Sequence, residues 1–240
     1  MRTAVVTGAN RGIGLAIVRA LLARGDRVVA TCRRPDYADA LRAVLEPAGD
    51  DGVLVPLDVC EPRSAAAAAT TVDDLLGGVD LLVNNAGVWA ASDRDPAASS
   101  GPLAALDADA VTTVLRTNAV GALVTTQAFS ALLARVGGGL VANVTSGLGS
   151  LDRGAPRQGY AYAMSKAALN MATRHLAAEL ASAGVDVIAF DPGWVRTDLG
   201  GQDARLSPDE AATGLLTVID GLPPETTDVF LNRRGERVPW

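Results

Sequence analysis

The chain has almost no lysine, histidine or cysteine. Its 240 residues include one lysine, Lys166, against twenty arginines, one histidine, His175, and two cysteines, Cys32 and Cys60. Each scarcity excludes something. Two isolated cysteines with no Cys-x-x-Cys spacing give neither a disulfide framework nor a zinc site, and read as reduced structural thiols. A lone histidine in a helical pattern, with no Gly-x-Ser-x-Gly segment beside it, argues against a Ser-His-Asp hydrolase. No metal-ligand spacing is present. Positive charge is never gathered into a basic tract and the net charge is −6, so no nucleic-acid partner is expected. No apolar run reaches the roughly 18 residues that a membrane span needs. A glycine-rich segment begins at Thr7 and leaves no room ahead of it for a signal peptide, so a cytoplasmic location is expected.

What is present is an alternation of β-rich apolar runs and helical patterns. Strands are expected at Thr3–Thr7, Arg27–Thr31, Val53–Leu57, Asp80–Asn84, Leu140–Thr145, Asp186–Asp191 and Val229–Leu231. Several are nearly continuous in Val, Leu and Ile, as parallel strands covered on both faces require. Helices are expected at Ile13–Arg24, Asp36–Leu45, Ser64–Leu76, Ala108–Arg135, Tyr160–Ala183 and Pro208–Asp220. The last opens on a capping signal: Ser207 as N-cap, Pro208 at the first helical position, Glu210 to close the box. The pattern predicts one α/β domain over residues 1–240, a doubly wound, mostly parallel Rossmann-type sheet of about seven strands. Segments 90–101 and 148–159 read as irregular surface stretches, the second a candidate wall of the site.

The first strand runs into Thr7-Gly8-Ala9-Asn10-Arg11-Gly12-Ile13-Gly14 and then an amphipathic helix. Glycines let the backbone turn sharply and approach a pyrophosphate, and the helix N-terminus offers it free N–H groups. The spacing is not Gly-x-Gly-x-x-Gly, and a glycine loop alone is a weak signal; its position between strand and helix favours nucleotide binding over a merely structural turn. After the second strand, where an NAD site usually carries an acid, stand Cys32 and Arg33. Arg33 with Arg11 can clamp a 2′-phosphate. NADP(H) is therefore expected over NAD(H); the bland alternative is a pair of solvated loop charges.

The single lysine stands four residues after Tyr162, so on a helix the two share a face. A nearby cation favours phenolate, which makes a tyrosine a usable proton donor near neutral pH. Other fragments fall near strand ends: Asn84-Asn85-Ala86-Gly87, Thr145-Ser146 and Pro192-Gly193-Trp194-Val195-Arg196-Thr197. Asn118 lies inside a long helix, where an amide is a poor helix former and needs a reason. In an open α/β sheet, ligands bind beyond the carboxyl ends of the strands.

Taken in order, TGxxxGxG, NNAG, the mid-helix Asn, the Ser, YxxxK and PG-x-V-x-T resemble the short-chain dehydrogenase/reductase family over essentially the whole chain. Segments 160–170 and 229–240 resemble a narrower group of C-factor-like and sniffer-like carbonyl reductases. The resemblance implies an oxidoreductase acting on a small-molecule carbonyl/alcohol pair. It implies Tyr162 as general acid/base, Lys166 as its partner and ligand of the nicotinamide ribose, Ser146 as hydrogen-bond donor to the substrate oxygen, and Asn118 as holder of a relay water. Thr197 and the backbone near Val195, after Pro192 and Gly193, would contact the carboxamide. Asp58 and Val59 would flank the adenine, with Asn84, Ala86 and Gly87 on the adenosine side. Ser146 lies 16 residues before Tyr162, farther than is usual; Ser150 is the alternative, disfavoured because Ser146 directly ends the strand. Only about ten residues, 198–207, follow PG-x-V-x-T before the capped helix, where relatives often carry a lid, and this suggests an open pocket. Trp89, Leu148, Leu151 and Trp194 are expected to line the substrate pocket, which suits an apolar or aromatic carbonyl compound. A homodimer or homotetramer through the helices at 108–135 and 160–183 is expected. A non-catalytic NADP(H)-binding regulator on the same fold is the other reading; it would not need Asn118, Ser146, Tyr162 and Lys166 together.

Overall fold

The computed structural model describes residues 1–90, 103, 106–153, 159–223 and 226–240. Most of the expected 90–101 loop lies outside these residues, as does 154–158 of the second irregular stretch. Within the described residues seven strands form one sheet: β1 (Thr3–Val6), β2 (Arg27–Cys32), β3 (Gly52–Pro56), β4 (Leu81–Asn84), β5 (Leu140–Val144), β6 (Asp186–Asp191) and β7 (Val229–Asn232). Their order is β3-β2-β1-β4-β5-β6-β7 and every pairing is parallel. The chain winds outward from β1 to β3, then returns to β4 beside β1 and winds the other way. That reversal opens a crevice at the carboxyl ends of β1 and β4.

Among the described residues seven α-helices cover the sheet: α1 (Gly12–Ala23), α2 (Asp39–Leu45), α3 (Pro62–Leu76), α4 (Ala108–Leu115), α5 (Gly121–Arg135), α6 (Tyr160–Leu180) and α7 (Pro208–Asp220). Side chains alternate across each strand. Ala4, Val6, Val28 and Ala30 therefore join the core with α1, α2 and α7, while Val5, Val29, Leu82, Val141 and Val187 join the core with α3, α5 and α6. Strands buried on both faces explain the absence of an apolar/polar alternation in the sequence. Phe129, Leu132 and Leu133 are core, whereas Val120 and Leu123 are exposed. The α7 capping box forms: Glu210 N donates to Ser207 Oγ at 3.2 Å, and Ser207 N donates to Glu210 Oε2 at 2.7 Å. No described helix is long and apolar enough to cross a membrane.

Two helices depart from expectation. The stretch at 108–135 is not one regular helix; a π-helical turn, Arg116–Val120, joins α4 to α5. Asn118 sits inside it, which is where such turns most often serve a site. The helix expected from Asp36 breaks at Ala38, whose φ/ψ of −111°/45° is not helical, after a 3₁₀ turn at Pro35–Tyr37.

Candidate active site

A cleft of about 440 Å³ opens at the switch point. Its floor is the contact between the glycine loop and the segment after β4. Thr7 Oγ1 accepts from Asn85 N (2.9 Å) and Ala86 N (3.0 Å) and donates to Val83 O (3.3 Å). Asn85 Nδ2 in turn donates to Thr7 O (2.9 Å) and Gly8 O (3.2 Å). This latch brings the loop within contact of its neighbours. Gly8 has φ +63°, and a Cβ there would meet Ala86 Cα at 2.9 Å; Gly12 has φ +56° and faces Thr197. Both need the left-handed region that glycine alone adopts freely.

Of the residues expected to hold a cofactor, Gly8, Asn10, Arg11, Gly12, Ile13, Arg33, Asp58, Val59, Ala86, Gly87, Pro192 and Thr197 line this cleft together with Tyr162 and Lys166. Four others do not. Gly14 packs beneath the loop against Asn85. Asn84 turns inward, its Nδ2 donating to Thr126 Oγ1 (3.0 Å) and Asn143 Oδ1 (2.8 Å). Val195 is buried in a bridge to Leu206, and Gly193 packs against Leu206. Cys32 lines the cleft beside Arg33, and Cys60, Asn85, Arg196 and Asp198 do so without having been given a role there. Arg11, paired in expectation with Arg33, instead binds Asp198 at 2.8 Å across the cleft mouth. The pair is largely exposed, and such pairs contribute at most about 1 kcal/mol, so Arg11 can exchange partners.

At the ends of β5 and α6 the expected reaction residues meet. Tyr162 and Lys166 are both buried, and Lys166 Nζ lies 5.5 Å from the centre of the Tyr162 ring. Tyr162 also shares a hydrogen bond with Ser146. Lys166 Nζ donates to Val144 O at 2.8 Å. Burial lowers the Lys166 ammonium from 10.5 to about 8, against the pull of the Asp191 carboxylate. The phenol moves the other way from expectation. Burial pushes Tyr162 above its ordinary value and Asp191 pushes it further, while the Ser146 hydrogen bond draws it down. Loss of water around the phenol outweighs the neighbouring cation.

Asn118 is 1% exposed and its amide is fully engaged. Oδ1 accepts from Val88 N (2.8 Å), and Nδ2 donates to Val88 O and to Ser165 Oγ (both 2.9 Å). The side chain therefore braces the π turn against the segment after β4. Ser150 is not beside Tyr162; its Oγ donates to Pro239 O at 2.7 Å.

The four expected pocket residues part company. The Trp89 ring stacks on Tyr162, with centroids 4.1 Å apart and planes 23° from parallel. None of the four lines the cleft described above. Leu148 is partly buried in the 3₁₀ turn after Ser146, and Leu151 is 79% exposed. Trp194 points away to donate from Nε1 to Gly200 O at 2.7 Å. The short 198–207 segment folds back on 194–196, with Arg196 N bonded to Leu206 O and its guanidinium to Ala204 O and Arg205 O.

An all-parallel seven-stranded sheet with its cleft at the switch point places the chain among the doubly wound α/β proteins. Within them it belongs to the short chain dehydrogenase family, whose model matches residues 2–205. Its relatives include the protein named C-signal from Myxococcus xanthus, 41% identical over 167 residues, 68% of this chain and 94% of that protein. Among solved structures, an NADPH-bound carbonyl reductase from chicken fatty liver superposes with a TM-score of 0.87 at 34% identity, covering 100% of this chain and 99% of that one. The carbonyl reductase Sniffer of D. melanogaster gives 0.90 at 26% identity and full coverage of both chains.

Proposed function

We propose that the chain is an NADP(H)-dependent oxidoreductase that reduces a ketone or aldehyde to an alcohol, or runs the reverse, with Tyr162 as general acid/base. The observation that carries this reading is the Ser146–Tyr162 hydrogen bond with Lys166 over the same ring, in a cleft whose wall includes the glycine loop. Gly8 and Gly12, at positive φ and too close to Ala86 and Thr197 for a side chain, let the loop turn tightly into α1 along the cleft wall, which fits a pyrophosphate against the α1 N-terminus. Arg33 would meet the 2′-phosphate, Asp58 and Val59 the adenine, Lys166 the nicotinamide ribose, and Thr197 the carboxamide. NADPH found bound in the chicken relative supports the choice of cofactor.

When bound, NADPH supplies the hydride for the carbonyl carbon. The protein's part is electrostatic. Negative charge grows on the carbonyl oxygen, and hydroxyls already aimed at it stabilise that charge without reorganising. Ser146 holds the oxygen; Tyr162 releases its proton to it. Trp89 covers one face of the phenol and keeps water from it. Asn118 fixes the helix turn beside Ser165, and a relay water there would be held by the backbone rather than by its engaged amide. Copies would pair through the exposed Val120, Leu123, Met164 and Met171; sedimentation velocity returning a monomer would remove that part.

The test is NADPH consumption against a panel of aldehydes, ketones and quinones, with NADH as control. The relative named C-signal supports a second reading, a non-catalytic NADP(H)-binding signalling protein. NADPH binding without turnover across the panel favours that one. The cofactor preference has its own check. Arg33→Asp removes a charge-assisted contact and adds repulsion, so NADPH affinity falls by about 1.5–3 kcal/mol, on the order of 10–150-fold, while NADH affinity holds. Equal NADPH affinity in titrations of variant and wild type rules the clamp out.

A further inference from the structure

β6 ends on an acid that none of the expected roles uses. Thr145 N donates to Phe190 O at 2.8 Å, which sets Asp191 beside the end of β5, next to Ser146 and Gly147. Its carboxylate is held through one oxygen. Oδ1 accepts from Gly193 N at 3.0 Å. Oδ2 faces Gly147, where a Cβ would lie 3.0 Å from it. Arg153 Nη1 reaches the same point, 2.7 Å from that Cβ position, yet forms no ion pair among the described residues. Gly147 is thus the gap through which two charges approach the residue next to Ser146. The titratable and charged groups around Asp191 are Tyr162 and Lys166 from α6, Arg153 from the segment after Ser146, and Arg233 beyond β7, whose Cδ lies 3.9 Å from the Cβ position of Gly193.

We propose that Asp191 is a positioning residue for proton delivery: its fixed carboxylate keeps the buried Tyr162–Lys166 pair as phenol and ammonium, and so favours carbonyl reduction over alcohol oxidation. This rests on the function proposed above. A carboxylate stabilises an ammonium and disfavours a phenolate, so it acts on both partners in one direction, toward the protonated form. Asp191 does raise both groups. Reduction needs the phenol. The hydride brings two electrons to the carbonyl carbon, the Tyr162 O–H bond breaks to give the oxygen its proton, and the phenolate then regains a proton from water. Oxidation needs the phenolate at its start. An acid beside the pair therefore widens the pH range of the first and narrows that of the second.

The experiment is the pH profile of kcat/KM for reduction and for oxidation in wild type and Asp191→Asn. Asparagine keeps the shape and an acceptor for Gly193 N but carries no charge. The high-pH limb of reduction and the low-pH limb of oxidation are both expected to move down by on the order of one pH unit, with NADPH affinity unchanged. Limbs that stay in place overturn the proposal. A second measurement needs no turnover. Only Tyr37 and Tyr160 accompany Tyr162; with both changed to Phe, phenolate absorbance titrates Tyr162 alone. Asp191→Asn or Asp191→Ser should lower that titration by a similar amount, and an unmoved titration sinks the idea. Because it reads the tyrosine directly, it still judges Asp191 if Tyr162 proves not to be the proton donor.

Discussion

Lys166→Met is expected to make the protein more stable and nearly inactive. Lys166 is 4% exposed, and burial lowers its ammonium from 10.5 to about 8. At about 1.4 kcal/mol per pH unit, keeping the charge below pH 8 costs the fold about 3 kcal/mol. The native state binds fewer protons than the unfolded chain between pH 8 and 10.5, so this cost fades as pH rises through that window. Methionine fills similar space without a charge; the pull of Asp191 is already counted in the lowered value, so the further loss is the hydrogen bond to Val144 O, about 1 kcal/mol. The net gain of about 2 kcal/mol corresponds to a melting temperature about 4–8 °C higher at neutral pH. Turnover should fall by about 10²–10³, since the cation beside the phenol is lost. Calorimetry and NADPH oxidation on the same preparation check both halves. A variant that is active, or less stable than wild type, contradicts the assignment of Lys166 as a buried functional charge.

Gly14→Ala should disable the cofactor cleft from beneath. The position does not have a left-handed φ, so the effect is steric alone. A Cβ would stand 2.5 Å from Asn85 Nδ2 and 2.5 Å from Gly8 O, and neither can retreat freely. Asn85 is latched to Thr7 O and Gly8 O, and Gly8 is crowded in turn by Ala86. Overpacking of this kind costs about 1–3 kcal/mol. Spent on displacing the loop, it weakens NADPH by about 5–150-fold at 1.4 kcal/mol per decade. Fluorescence titration of bound NADPH measures it, and an affinity equal to wild type would mean that the loop does not hold the pyrophosphate.

The order of strands and helices was legible because parallel strands buried on both faces are written as plain apolar runs, and because Ser207, Pro208 and Glu210 cap α7 by local chemistry alone. The π turn was not. Asn118 stood out as a poor helix former, but nothing in residue propensity distinguishes an i→i+5 turn from a tolerated amide. The Asn84-Asn85 pair shows a different limit. Asn84 ends β4 and points into the core, whereas Asn85 stands just past the strand, where the chain turns toward the glycine loop. The motif names both without saying which; Asn85 holds the loop, and Asn84 joins the buried chain through Asn143 to Thr173. Aromatic and apolar residues near a motif were read as pocket lining. Trp89 does reach Tyr162, but Trp194 is turned away by its bond to Gly200 O. Asp191 gave no sign in the sequence, since an acid at a strand end ordinarily faces water. The direction of the Tyr162 shift was also hidden: spacing puts a lysine beside the phenol, but only the packed structure reveals how completely water is excluded from both.

The most direct measurement compares Tyr162→Phe with wild type for both NADPH oxidation, using the carbonyl compound that turns over best, and NADPH affinity. The phenyl ring keeps the stack with Trp89 and removes only the proton and the Ser146 hydrogen bond. The account predicts turnover lower by about 10²–10⁴ with affinity unchanged. Turnover close to wild type in a variant that binds NADPH normally would contradict it, and would assign proton delivery to another group.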